Sequence, residues 1–119
     1  MHTAANVAIV AVALLHLYFL VLEMFLWTKP LGLRTFRLTP EFAQQSAGLA
    51  KNQGLYNGFL AAGLLWSLVE GGRSGFYLQI FFLSCVIIAG IFGAVTVNRR
   101  ILVIQALPAF IALVLVHLH

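Results

Sequence analysis

Four apolar runs decide what this chain can become, because each is close to the ~20 residues a helix needs to cross ~30 Å of hydrocarbon. They lie at about 4–27, 52–69, 76–97 and 101–117. Of the 119 residues 62% are apolar and only 8% are charged, whereas a soluble domain averages about 25% charge. A water-soluble fold of this size would lack the polar side chains to cover itself. The predicted class is all-α, an integral membrane four-helix bundle forming a single transmembrane domain over 1–119. The first run is too long for a signal-peptide core and has no small-residue cleavage site before its polar flank, so it reads as a retained anchor.

The joints between the runs predict topology. Lys29, Arg34, Arg37 and Lys51 crowd the first joint, Arg99 and Arg100 the third, and only Arg73 falls in the second. Basic residues stay on the cytosolic side, so the first and third joints face the cytosol and both termini lie outside. This gives a multi-pass membrane protein with a basic cytosolic first loop. The formal charge of +4 is thereby used up by topology. No basic face is interleaved with aromatics, so no nucleic-acid partner is expected.

Thr39-Pro40-Glu41 predicts a helix start, with a capping hydroxyl, proline at the first helical position and an acid in the first turn. The second helix is therefore expected to be long, about 40–69, with Gly48 as its weak point. The predicted helices are about 4–27, 40–69, 76–97 and 101–117. The glycine-rich stretch from Glu70 to Gly75 and the short Asn98-Arg99-Arg100 segment read as tight turns. Cys85 is alone in an apolar run, so neither a disulfide nor a cysteine metal pair is available.

Polar side chains inside such helices are expensive and raise the question of function. His16 and Glu23 stand seven residues apart on one face of the first helix. The second helix carries Asn52, Gln53, Tyr56 and Asn57, and the fourth carries Gln105 before a kink expected at Pro108. Counted from the flanking basic and aromatic residues, Glu23, Asn57 and Gln105 all fall in the cytosolic third of the membrane. His16 falls deeper, near the midplane. This asymmetry predicts a pocket open to the cytosol, where a transporter would place its site nearer the midplane.

Glu23 and His16 are the candidate catalytic residues, and Asn52, Gln53, Tyr56, Asn57 and Gln105 the candidate ligand-binding ones. Glu23 is expected to be neutral or paired with a cation such as Lys51 or Arg100, because a bare charge is costly there. It would act as an acid or base, hold a cationic substrate, or lock the helices. His16 reads as a core histidine, a proton relay, or a ligand of haem or metal. One His and one Glu at this spacing do not specify a metal site, and none is assigned; the cofactor is left open. Small residues at Gly54, Gly58, Ala61 and Ala62 line the second helix opposite its polar band and permit close helix approach. Four short helices enclose little volume alone, which predicts a homo-oligomer.

The stretches His16-Leu-Tyr-Phe-Leu-Val-Leu-Glu23-Met-Phe-Leu-Trp27, Lys51-Asn-Gln-Gly-Leu-Tyr-Asn-Gly58-Phe-Leu-Ala-Ala-Gly63 and Gln105-Ala-Leu-Pro108-Ala resemble a family of small bacterial membrane proteins, domain of unknown function 1304. Its members are sometimes labelled epimerases without a mechanism. A looser resemblance is to the membrane-associated eicosanoid and glutathione metabolism proteins, trimers with four helices that act on lipophilic electrophiles. The run from Ala50 to Asn57 is similar to their Arg-Ala-x-x-Asn-x-x-Glu motif, but it has different spacing and no acid at the Glu position. Small multidrug-resistance transporters are similar in length and in having one Glu in the first helix, with shorter cytosolic loops.

Two functional expectations follow. One is a membrane protein whose cytosol-facing polar pocket binds a lipophilic small molecule, whether as an enzyme or as a binding protein, with lipids around it. The other is proton-coupled efflux of cationic compounds through Glu23.

Overall fold

The structure, a computed structural model, describes residues 2–118, and all the regular elements among them are helical. Helix α1 spans His2–Met24, α2 Pro30–Phe36, α3 Pro40–Glu70, α4 Gly72–Thr96 and α5 Leu107–His117. A π-helical turn over Leu102–Ala106 leads into α5.

Two compact units are distinguishable: Leu15–Phe59, and the residues up to Leu14 together with those from Leu60 onward. In the latter unit Ile9 and Val12 of α1, Leu64 of α3, Leu83 and Val86 of α4 and Ala109, Ala112 and Val116 of α5 form one buried cluster. Two of the three α5 members, Ala109 and Ala112, are small, so the backbone there can lie close to its neighbours. Phe81, Ile88, Phe92 and Val95 make a contrasting stripe on α4, all at least 60% exposed. Their spacing of seven, four and three puts them on one face.

Two helices, Thr3–Met24 within α1 and Gly72–Thr96, are long and apolar enough to cross a membrane; Leu102–His117 is apolar but shorter. Helix α3 has 31 residues, about 46 Å at 1.5 Å each, but its first half carries Gln44, Gln45, Ser46, Lys51, Asn52 and Gln53. Length and composition therefore single out two of the four expected spans.

Local chemistry explains where the elements start and stop. Thr39 Oγ1 accepts the backbone N–H of Phe42 at 3.2 Å, capping α3 as its sequence predicts. Gly48 does not break that helix, and a Cβ there would meet nothing within 4 Å. Only Gly71 separates α3 from α4, with Gly71 and Gly72 at φ 64° and 60°. Such angles are strained for a residue bearing Cβ, which is why so short a link is built of glycine. The helix expected from residue 76 accordingly begins at Gly72.

The expected kink at Pro108 is preceded by the π-helical turn, in which Leu107 N–H reaches back to Leu102 O. Proline has no N–H to offer the fourth residue before it, and its ring crowds that carbonyl. A wider turn immediately upstream accommodates both effects.

Candidate functional site

Within the unit Leu15–Phe59, α1 ends at Met24, three residues earlier than its apolar pattern implies. The chain then bends so that Trp27 leaves the helix. Its indole Nε1 donates to Ser46 Oγ at 3.0 Å, and Ser46 Oγ donates to Phe42 O at 2.7 Å. The same indole packs on Phe36 with ring centroids 4.8 Å apart. Phe36 belongs to α2, a seven-residue helix that the hydrophobic pattern does not show. Its signal lay in Lys29-Pro30, since proline favours the first position of a helix.

Glu23 thus stands one residue from the end of α1. Gln53 Nε2 donates to Glu23 Oε2 at 3.1 Å and Asn57 Nδ2 donates to Glu23 Oε1 at 2.6 Å. The two amides are four residues apart on α3, so one helical turn delivers both to the same carboxyl. Glu23 and Asn57 are buried, whereas Gln53 is exposed at the edge. A carboxylate offers about four acceptor positions, and these amides occupy one on each oxygen. The sequence leaves Glu23 either neutral or paired with a cation, and the partners that hold it here, Gln53 and Asn57, are neutral amides.

Close approach of the two helices makes this geometry possible. A Cβ on Gly54 would lie 2.6 Å from Met24 Cγ, 3.2 Å from Glu23 Cβ and 3.3 Å from Leu20 O. A Cβ on Gly58 would lie 2.8 Å from Leu20 Cδ1. The glycine stripe therefore borders the polar band and faces the same helix, where the sequence reading set it opposite. Gln53 and Asn57 reach Glu23 because Gly54 lets α3 come near enough.

Beside the carboxyl opens a recess of about 240 Å³ whose wall includes Glu23, Trp27, Thr28, Ala47 and Lys51. It combines a buried acceptor, a hydroxyl, an aromatic edge and an exposed ammonium. Thr28, Ser46 and Ala47 were not anticipated as parts of this region. They sit just outside the apolar runs, in segments with no periodic signal.

The other expected residues are distributed differently. Asn52 and Tyr56 are exposed, and the Tyr56 ring lies 6.1 Å from that of Phe59. His16 is fully buried with its ring edge-on to Phe19 at 5.3 Å. The seven-residue separation of His16 and Glu23 corresponds to about 10 Å of rise along the helix axis. Gln105 lies in the π-helical turn, half-buried, in the unit that does not contain Glu23. Among the described residues no three His, Cys, Asp or Glu side chains are grouped to share a metal ion.

A family model described as "Protein of unknown function (DUF1304)" matches residues 10–117, which takes in α1 from its third turn to the end of α5. The chain belongs to this family. All the polar residues named above lie inside the matched stretch. The chain is also similar to the uncharacterized protein YpaA of Lactococcus lactis subsp. lactis (strain IL1403), with 29% identity over 105 residues, 87% of each chain. No solved structure matches this DUF1304 chain.

Proposed function

We propose that the protein is a four-span membrane protein whose recess beside Glu23 binds the polar end of a lipophilic small molecule. The observation carrying this reading is the buried Glu23 carboxyl, held by Gln53 and Asn57 at the wall of a recess that also bears Lys51. Buried acids are costly unless satisfied, and amide pairs that merely join helices need no recess beside them.

Membrane placement is supported by the two long apolar helices and by the exposed Phe81–Val95 stripe of α4, which would meet lipid or another copy of the chain. Helix α3 would stand partly outside the hydrocarbon, with its polar first half toward the headgroups. Basic residues on the first and third joints put those joints, and with them the recess, on the cytosolic face of a bacterial inner membrane with both termini outside. Assembly as a homo-oligomer would cover the apolar stripe and enlarge the enclosed volume.

Chemically, Glu23 is the acid, base or charge partner of the bound molecule. Gln53 and Asn57 orient its carboxyl; Asn52 and Tyr56 offer hydrogen-bonding groups on the exposed side of α3. His16 stands about two turns from Glu23 along α1.

Native mass spectrometry of protein released gently from membranes tests this. The wild type is expected to carry a discrete added mass, and Glu23→Gln to lose it while keeping the same oligomer. An unchanged adduct in Glu23→Gln would sink the reading. If the added mass were a quaternary ammonium compound, and expression conferred Glu23-dependent resistance to such compounds, efflux would replace it.

A further inference from the structure

Resting on that reading, we infer that the recess selects a zwitterionic lipid head in which a primary ammonium sits beside a phosphate. Three observations lead there, and all lie within Leu15–Phe59.

The first is the state of the Glu23 carboxyl. Its hydrogen-bond donors are two neutral amides, one on each oxygen. Each oxygen keeps acceptor capacity, and the amides leave any charge on the carboxyl uncompensated. A ligand ammonium supplies both the missing positive charge and N–H donors. A quaternary ammonium supplies only the charge.

The second is Lys51 on the same wall. Gln53 and Asn57 hold the carboxyl, while Lys51 on the same wall is exposed. One recess thus presents a buried acceptor and an exposed cation. The complementary ligand carries its cation first and its anion a few bonds behind.

The third is size. A volume of about 240 Å³ equals roughly eight waters at about 30 Å³ each, and falls below the roughly 300–1,000 Å³ of pockets that engulf drug-sized ligands. The recess is of headgroup size, and acyl chains would lie outside it. Phe25, Leu55 and Phe59 are exposed in the same unit and offer apolar surface for acyl chains. A phosphoethanolamine head on a diacyl lipid meets all three conditions. Free phosphoethanolamine shares the chemistry of the head alone.

The test uses the full chain in detergent, titrated with ethanolamine-, choline- and glycerol-head lipids of identical acyl chains and read by native mass spectrometry. The ethanolamine lipid is expected to bind about fivefold more tightly than the other two, the upper end for an exposed ion pair. Lys51→Gln should weaken binding of all three lipids, because each carries the phosphate, and Lys51→Arg should keep their affinity, whereas Glu23→Gln should erase the ethanolamine advantage. Equal binding of all three heads, or no effect of Lys51→Gln, would overturn the inference.

Soluble glycerophosphoethanolamine separates the two sources. If it displaces the lipid at matched concentration, the head alone is the ligand and the acyl chains contribute nothing, which overturns the lipid assignment. If it does not, the lipid is supported. A membrane-derived adduct that depends on Glu23 but shows no head preference would overturn this inference and leave the proposed binding function standing. Absence of any Glu23-dependent adduct from the wild type would remove both.

Discussion

Asn57 Nδ2 donates to Glu23 Oε1 over 2.6 Å, joining α3 to the last turn of α1 across 34 residues of chain. Replacing this amide by Leu leaves a buried carboxyl oxygen without its donor. Removing one partner of a buried hydrogen bond costs about 1–3 kcal/mol in water-soluble proteins, and averages near 0.6 kcal/mol in membrane bundles. Asn57→Leu should therefore lower the midpoint of thermal unfolding in detergent. The double variant Asn57→Leu/Glu23→Leu should recover much of the loss. A double variant no more stable than the single one would show that the carboxyl is satisfied elsewhere.

Two glycines of α3 should respond in opposite directions to the same substitution. Gly48→Ala adds a methyl in open space and should stabilise by up to about 1 kcal/mol, the helix-propensity gain of Ala over Gly. Gly54→Ala forces a methyl against Met24, Glu23 and the Leu20 carbonyl, and overpacking of this kind costs about 1–3 kcal/mol. It should also weaken ligand binding, because pushing α3 away stretches both amide bonds to Glu23. Thermal melts of the two variants side by side make the comparison; equal shifts would refute the close packing.

Trp27 ties the first joint to α3 through Ser46 and to α2 through Phe36. Trp27→Ala removes both ties, and the Lys29–Leu38 segment should then open more often. Trypsin cleavage after Arg34 and Arg37 should accelerate severalfold. Trp27→Phe, which keeps the ring contact but loses the N–H, should fall between wild type and Trp27→Ala. Identical digestion rates for all three proteins would mean that the indole does not hold this segment.

Topology can be read by single-cysteine labelling after Cys85 is replaced by Ser. A cysteine at position 35 should react with a membrane-impermeant maleimide only once cells are opened, whereas one at position 73 should react in intact cells. The reverse pattern would invert the proposed orientation and carry the Glu23 recess to the outer face.

The sequence made the helical character of this chain legible because long apolar runs leave few alternatives in composition or period. It also pointed to Glu23, Gln53 and Asn57, since polar groups inside such runs stand out and their spacing puts Gln53 and Asn57 on one turn. Asn52 and Tyr56 share that helix but not the direction, and periodicity alone could not say which part of the band α1 would meet. Gly54 decided it, through a contact between helices that no pattern within α3 reveals. Trp27 closes the first apolar run, which predicts it inside the helix; its hydrogen bond to Ser46, 19 residues away, draws it out. Helix α2 was hidden by its length, seven residues being too few for a period to show.

The wide turn over Leu102–Ala106 is in effect a helix holding a spare residue. A π turn closes over five residues where an α turn closes over four. Deleting a single position there would let the ladder revert to its ordinary pitch without rotating the helix beyond the turn. Length changes of one residue should thus be absorbed in this stretch with the backbone bonds intact. What such a deletion alters is the azimuth of Gln105 and its neighbours relative to α5, so the turn works as a register adjuster between the Asn98–Arg100 hairpin and the buried face of the last helix.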